Sequence, residues 1–154
     1  MNKQKISIYL KTLIPIIIVA ILGTIFVNIG LEWFNSLIKP SQWIPNFIIP
    51  IVWTIIYLTF SIILISLQNK TMLDKTTVIL LIINGILNIL WCLIFFTLKQ
   101  TFLGNIIIIL NLIAGFLLVF DILKYNKLYF YILLIYPTWL SIATSLNLAM
   151  WILN

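Results

Sequence analysis

The sequence predicts an all-α membrane protein, a polytopic bundle of five transmembrane helices. Three observations lead there. Of the 154 residues, 64% are hydrophobic and only 8% are charged, against roughly 25% charged in an ordinary soluble domain. The apolar residues fall into five runs, each near the roughly 20 residues that cross about 30 Å of hydrocarbon. Short turns carrying lysine or asparagine separate the runs. A soluble chain of this length could not hide so much apolar surface in one core, whereas a bilayer accepts it directly. On this reading the whole chain, 1–154, is one domain.

The first helix is expected over 12–31, after a start carrying Lys3, Lys5 and Lys11. A basic head before an apolar stretch resembles a signal peptide. The stretch is longer than an h-region and shows no small-residue cleavage site before Glu32, so a retained helix is expected. A loop containing Lys39, Pro40 and Ser41 follows. The second helix is expected over 44–67 with Pro45 and Pro50 in its first turns, where early N–H groups lack intrahelical partners anyway. The third, fourth and fifth are expected over 76–98, 102–123 and 128–153, joined by brief turns at Lys99–Gln100–Thr101 and Lys124–Tyr125–Asn126–Lys127.

Lysines set the orientation. Lys3, Lys5, Lys11, Lys70, Lys75, Lys124 and Lys127 would share one side, Lys39 and Lys99 the other. By the positive-inside rule the N-terminus is expected in the cytoplasm and the C-terminus outside. The richness in Ile, Asn and Lys fits an AT-rich bacterial genome, hence a bacterial cell membrane. All nine basic residues are lysines; without arginine there is no bidentate grip on phosphate, and scattered lysines make no nucleic-acid patch.

Other classes are excluded by what the chain lacks. It has no histidine and one cysteine, Cys92, which removes the usual zinc sites, an imidazole-ligated haem and an internal disulfide. Cys92 reads as a small buried packing residue. Glu32, Asp74 and Asp121 fall at span ends, so no acid pair or nucleophile–base pair supports hydrolytic or transfer chemistry. Neither a metal nor a cofactor is called for.

Within the spans, polar and aromatic residues recur at helical spacing and so mark faces turned toward the bundle interior. Trp53, Tyr57, Phe60 and Ser61 line one face of the second helix. Asn84, Asn88, Trp91 and Phe95 follow on the third, Asn111 and Gly115 on the fourth, and Tyr136, Trp139, Ala143, Asn147 and Trp151 on the fifth. The asparagines can be interhelical glue or pocket lining. Trp33, Phe34, Trp43, Tyr125, Tyr129 and Tyr131 near the span ends fit interfacial anchoring. Three converging indoles, Trp53, Trp91 and Trp139, with amides and a small Ala143, would line a cavity for a flat, largely apolar ring system.

These residues, taken in order, resemble the TspO/translocator protein family, also called the tryptophan-rich sensory proteins or peripheral benzodiazepine receptors. Trp33-Phe34-x-x-Leu37-x-Lys39-Pro40, Trp43-x-Pro45 and Val52-Trp53-x-x-Ile56-Tyr57 resemble its first loop and second helix. Leu87-Asn88-x-x-Trp91-x-x-x-Phe95-Phe96 resembles its third helix, and Tyr136-x-x-Trp139-x-x-x-Ala143-Thr144-x-Leu146-Asn147 its fifth.

The resemblance implies a five-helix fold whose first loop caps a pocket. It implies ligands among porphyrins and related tetrapyrroles, and among benzodiazepine- and isoquinoline-type drugs. The implied pocket residues are Trp53, Tyr57, Asn88, Trp91, Phe95, Trp139, Ala143 and Asn147, with Trp33, Pro40, Trp43 and Pro45 in the lid. It implies a binding protein with a sensory, regulatory or transport role. The alternative is an enzyme promoting light- and oxygen-dependent protoporphyrin breakdown, with Trp53 and Trp139 as its catalytic residues. A bare scaffold without ligand is the third reading.

Homodimers occur in the family, and Ser141, Ser145 and Ala149 form a small-residue stripe that could support close helix contact. The chain departs from the family pattern at Trp43-Ile44-Pro45-Asn46, where tandem prolines are frequent. It carries Ile107 where an acid is frequent, and Ile135 where a proline is usual, with Pro137 two residues on. The sterol-recognition pattern of animal members is missing from the C-terminus.

Overall fold

A computed structural model describes residues 3–41, 44–70 and 73–154. Among the described residues seven helices run in chain order: α1 (Lys3–Ile29), α2 (Leu31–Ser36), α3 (Ile48–Lys70), α4 (Lys75–Cys92), α5 (Thr101–Ile122), α6 (Lys127–Leu133) and α7 (Ile135–Leu153). A π-helical turn, Leu93–Thr97, continues α4. Five stretches are long and apolar enough to cross a membrane: Lys5–Ile29, Ile48–Lys70, Lys75–Thr97, Thr101–Ile122 and Lys127–Leu153. The protein is an all-α, integral membrane bundle.

Several boundaries differ from the sequence expectation for identifiable reasons. The first helix begins at Lys3 rather than Thr12, because its lysine-bearing start is as helix-competent as its apolar part. The second begins at Ile48 rather than Ile44. Pro45 stands in the turn before it, where its carbonyl accepts the Ile48 N–H at 2.9 Å, and only Pro50 lies in the first turn. The fifth span is interrupted at Leu134, between α6 and α7. Pro137 has no N–H for the Leu133 carbonyl four residues back. The bonds on either side persist, Leu134 N–H to Phe130 O and Thr138 N–H to Leu134 O, both 3.1 Å.

In lipid the burial pattern inverts, since the outside is as apolar as any core. Asn84, Asn88, Asn105, Asn111, Thr144 and Asn147 are all buried, while Ile62 and Ile152 are 68% and 76% exposed. Polar and small side chains therefore define the inner faces. The helices form a ring in the order α1, α3, α6–α7, α5, α4, closing back on α1. Among the described residues α3 and α4 make no close backbone approach to each other.

A buried triad ties the ring across its middle. Asn84 Nδ2 donates to Asn111 Oδ1 at 2.9 Å, and the Tyr136 hydroxyl donates to Asn84 Oδ1 at 2.9 Å and toward Asn111 Oδ1 at 3.4 Å. Asn84 and Asn111 thus act as interhelical glue. Gly115 makes room for the tyrosine: a Cβ there would stand 3.1 Å from both Tyr136 Cε1 and Leu140 Cδ1.

The two ends of the bundle are held differently. At the end where α1 and α4 begin, Asp74 caps α4 by accepting the Thr77 N–H at 2.9 Å. Lys124 reaches Asp74 at 2.6 Å and Asp121 at 2.7 Å. The buried Thr77 hydroxyl lies 2.7 Å from Asp74 Oδ1, 2.5 Å from Asp121 Oδ2 and 3.0 Å from the Tyr125 hydroxyl. Hydrogen bonds from Lys124 and Thr77 hold the Asp74 carboxyl well below the usual carboxylate range. Slight burial works against the Lys124 ammonium, but its bonds to Asp121 and Asp74 outweigh this and raise it above its ordinary value. This clamp joins the start of α4 to the end of α5.

At the opposite end, α2 and the first loop lie across the π turn. Gly30 is required there, since a Cβ would fall 2.1 Å from the Phe96 carbonyl oxygen. The loop is pinned to the end of α7 by Asn154. Its Oδ1 accepts the Ile38 N–H at 2.9 Å and its Nδ2 donates to Ile38 O at 3.1 Å.

Candidate functional site

The eight pocket residues expected from sequence occupy two adjoining regions. Tyr57 and Asn88 line a half-enclosed cavity of about 900 Å³ among α1, α3 and α4, with Tyr136 at its back. Trp53, Trp91, Phe95, Trp139, Ala143 and Asn147 do not line that cavity. Trp139 stands near mid-span, one turn from Tyr136; all the others lie toward the loop end.

There the aromatic rings form a connected chain. Trp53 stacks on Tyr57 (5.7 Å between centroids, 28° between planes) and lies 6.4 Å from both Trp91 and Tyr136. Trp91 continues to Phe95 at 6.3 Å and to Phe96 at 5.6 Å. Trp33 of α2 meets Phe95 edge-on at 5.8 Å. Trp53 packs against both hydrophobic clusters of the bundle, so it joins the two regions. Ala143 packs against the loop-end cluster. Trp139 is buried in the other cluster and belongs to no ring pair among the described residues.

The electrostatics of the loop end are unusual. Both amide atoms of Asn105, Nδ2 of Asn147, Oγ1 of Thr144 and the indole N–H groups of Trp91 and Trp139 are buried without a hydrogen-bond partner. Leaving one such group unmade costs about 1–3 kcal/mol. Asn111 Nδ2, in the triad at the middle of the bundle, is in the same condition, and each such group calls for a physical explanation.

The lid residues separate. Trp33 is half-buried on Phe95, Pro40 is buried, and Pro45 is exposed. Trp43 lies outside the described residues. Phe34 was read as an interfacial anchor, yet it is buried within 5.0 Å of Phe96 and 6.4 Å of Phe95. Asn105 has no place among the residues expected from sequence, and Thr144 has one only within the fifth-helix motif. The signal for Asn105 was present, because Asn105, Ile108, Asn111 and Gly115 repeat at the helical period and all are buried.

Fold and site together define a polytopic membrane protein with a chain of packed aromatic rings at its loop end. Comparison with known proteins places it. The TspO/MBR family profile matches residues 12–152, and the chain belongs to that family. It is 28% identical over 125 residues to Protein CrtK of Rhodobacter capsulatus, covering 79% of this chain and 78% of the relative. It is also 28% identical over 145 residues to the Tryptophan-rich protein TspO of Archaeoglobus fulgidus, covering 93% of this chain and 94% of the relative.

Proposed function

We propose that the protein binds a porphyrin or related tetrapyrrole at the loop-end site and acts as a sensory, regulatory or transport protein of the membrane. The observation that carries this reading is the set of unpartnered buried groups, Trp91 Nε1, Trp139 Nε1, Asn105, Thr144 and Asn147 Nδ2, among stacked rings. A flat macrocycle offers apolar faces to indoles and polar substituents to amides. Trp53, Tyr57, Asn88, Trp91, Phe95, Trp139, Ala143 and Asn147 are its proposed contacts, with Trp33, Pro40, Trp43 and Pro45 as the cover. Benzodiazepine- and isoquinoline-type drugs fit the same chemistry.

Absorbance titration of purified protein with protoporphyrin tests the reading. Wild type should bind saturably, and Ala143→Leu should weaken binding at least tenfold while melting normally. Absence of saturable binding by wild type overturns it.

The second reading is photo-oxidative porphyrin breakdown with dioxygen as oxidant, favoured by the continuous ring chain Tyr57–Trp53–Trp91–Phe95. At saturating porphyrin under light, Trp53→Phe should slow porphyrin loss more than Trp139→Phe, which lies outside that chain. Rates at saturation remove the difference in affinity. Equal rates for wild type and both variants would leave the tryptophans as a stacking surface.

In the proposed setting, a bacterial cell membrane, the N-terminus is cytoplasmic and the C-terminus external. Reporter fusions at both ends check this, and a cytoplasmic C-terminus overturns the orientation. Ser141 and Ser145 face outward, their hydroxyls bonded to carbonyls of their own helix at 2.8 and 2.7 Å. That leaves the stripe open to a second copy in a homodimer.

A further inference from the structure

The cavity of about 900 Å³ lies at the end of the bundle opposite the loop. Its shape follows from how α1 crosses its neighbours. α1 lies against α4 through Val19 at Gly85 and through Gly23 at Cys92, where an added Cβ would come within 3.2 and 3.5 Å of the facing side chain. Nearer its start α1 bonds to α3 instead, with Gln68 Nε2 donating to Thr12 Oγ1 at 2.9 Å. Since α3 and α4 do not approach each other, the space between them remains as a wedge. Pro15, on its wall, has no N–H for the Lys11 carbonyl four residues back.

The lining is sorted by polarity along the wedge. Ser7, Lys11, Thr12 and Gln68 stand at one end, and Asn88 and Tyr57 lie deep. Between them the walls are aliphatic or aromatic apart from Asn84, whose amide is bonded to Asn111 and Tyr136. Among the described residues Lys11 is the one charged residue in the lining, and the lining holds no acid to offset it. On α4 the wedge reaches from Val78 to Ile89, about 16 Å of helix, or roughly half the hydrocarbon thickness of a bilayer. Its volume is within the range of about 300–1,000 Å³ typical of small-molecule sites.

We propose that this wedge, which meets the loop-end site only at Tyr57 and Asn88, is a second binding site, for a long-chain anionic amphiphile. The acyl chain lies between α1, α3 and α4 at the depth of one leaflet, and the carboxylate or phosphate meets Lys11 beside Ser7 and the Thr12–Gln68 pair. Charge selects the head group: a lone cation at the rim of an apolar slot favours one negative charge and offers a zwitterionic head no acid to balance its ammonium. Depth selects the body, because a slot one leaflet deep accepts a chain lying parallel to its neighbours in the membrane.

The experiment titrates purified full-length protein with a brominated long-chain fatty acid, reading quenching of tryptophan fluorescence, and with the alcohol of the same chain. Wild type should bind the acid saturably and at least tenfold more tightly than the alcohol. Lys11→Glu should abolish that preference, and Leu81→Trp, which fills the slot, should weaken both probes, while protoporphyrin binding is unchanged in both variants. Vesicles in which an anionic phospholipid replaces a zwitterionic one separate the sources. Loss of fatty-acid binding in the anionic vesicles identifies membrane lipid as the occupant, and retained binding identifies the free acid. Equal binding of acid and alcohol by wild type, or no effect of Lys11→Glu, overturns the proposal. Competition between fatty acid and protoporphyrin, with both variants weakening the porphyrin, also overturns it, since the wedge would then be the porphyrin site.

Discussion

The two ends of this bundle solve the same problem in opposite ways. At the α4–α5 clamp every polar group described has a partner: Thr77, Asp74, Asp121, Lys124 and Tyr125 satisfy one another within 3.0 Å. Toward the loop end, Asn105, Thr144, Asn147 and Trp91 are buried with polar atoms unmet. Satisfied networks rigidify a fold, whereas unmet groups weaken it until a ligand supplies what is missing. On the function proposed above, stability and recognition are divided between the ends. The same substitution should therefore change sign from one end to the other.

The largest expected effect is at the clamp. Thr77→Val keeps the shape but removes the hydroxyl held between two carboxylates, and should destabilise the protein by about 2 kcal/mol. Thermal unfolding in a fixed detergent measures it. An unchanged melting temperature would show that solvent replaces the hydroxyl and that the clamp is no stronger than its exposed ion pairs.

A smaller effect of opposite sign is expected from the identical change at Thr144. Its hydroxyl is buried and unpartnered, so Thr144→Val should stabilise the ligand-free protein by up to about 1 kcal/mol. Asn105→Leu should act in the same direction while weakening protoporphyrin. Destabilisation by Thr144→Val would mean that this hydroxyl has a partner, and the distinction between the ends would fail there.

The sequence carried the bundle plainly and the division within it hardly at all. Five apolar runs punctuated by Lys70, Lys75, Lys99, Lys124 and Lys127 suffice for five spans, because hydrocarbon thickness sets their length. Asn84, Asn111 and Tyr136 were legible as inward-facing because lipid leaves polar groups nowhere else to go. The separation of Tyr57 and Asn88 from Trp53, Trp91 and Asn147 was not legible. It depends on where α1 crosses its neighbours, and that helix offers few polar marks, Thr12 among them, to say which way it leans. Asn105 was missed because the stripe on the fourth span was started one turn and a half too late, at Asn111.

The smallest expected effect is on pH, and it sharpens the clamp side of the contrast. The Lys124 ammonium and the Thr77 N–H hold the folded Asp74 carboxyl below its ordinary value of 3.8. A carboxyl so depressed contributes stability that is fully present above the unfolded value and is lost as pH falls through the folded one. The melting temperature should therefore be level from about pH 7 to about pH 5 and decline below about pH 4. The Asp74 side chain is 51% exposed, so solvent screens the pair and the decline is shallow. Asp74→Asn keeps the cap to Thr77 but carries no charge to lose. It should flatten the acid limb and lower the neutral melting temperature by about the small amount that wild type loses in acid. An acid limb equally steep in Asp74→Asn would mean that the Lys124–Asp74 ion pair is not its source, and the clamp would then rest on the buried hydroxyl of Thr77.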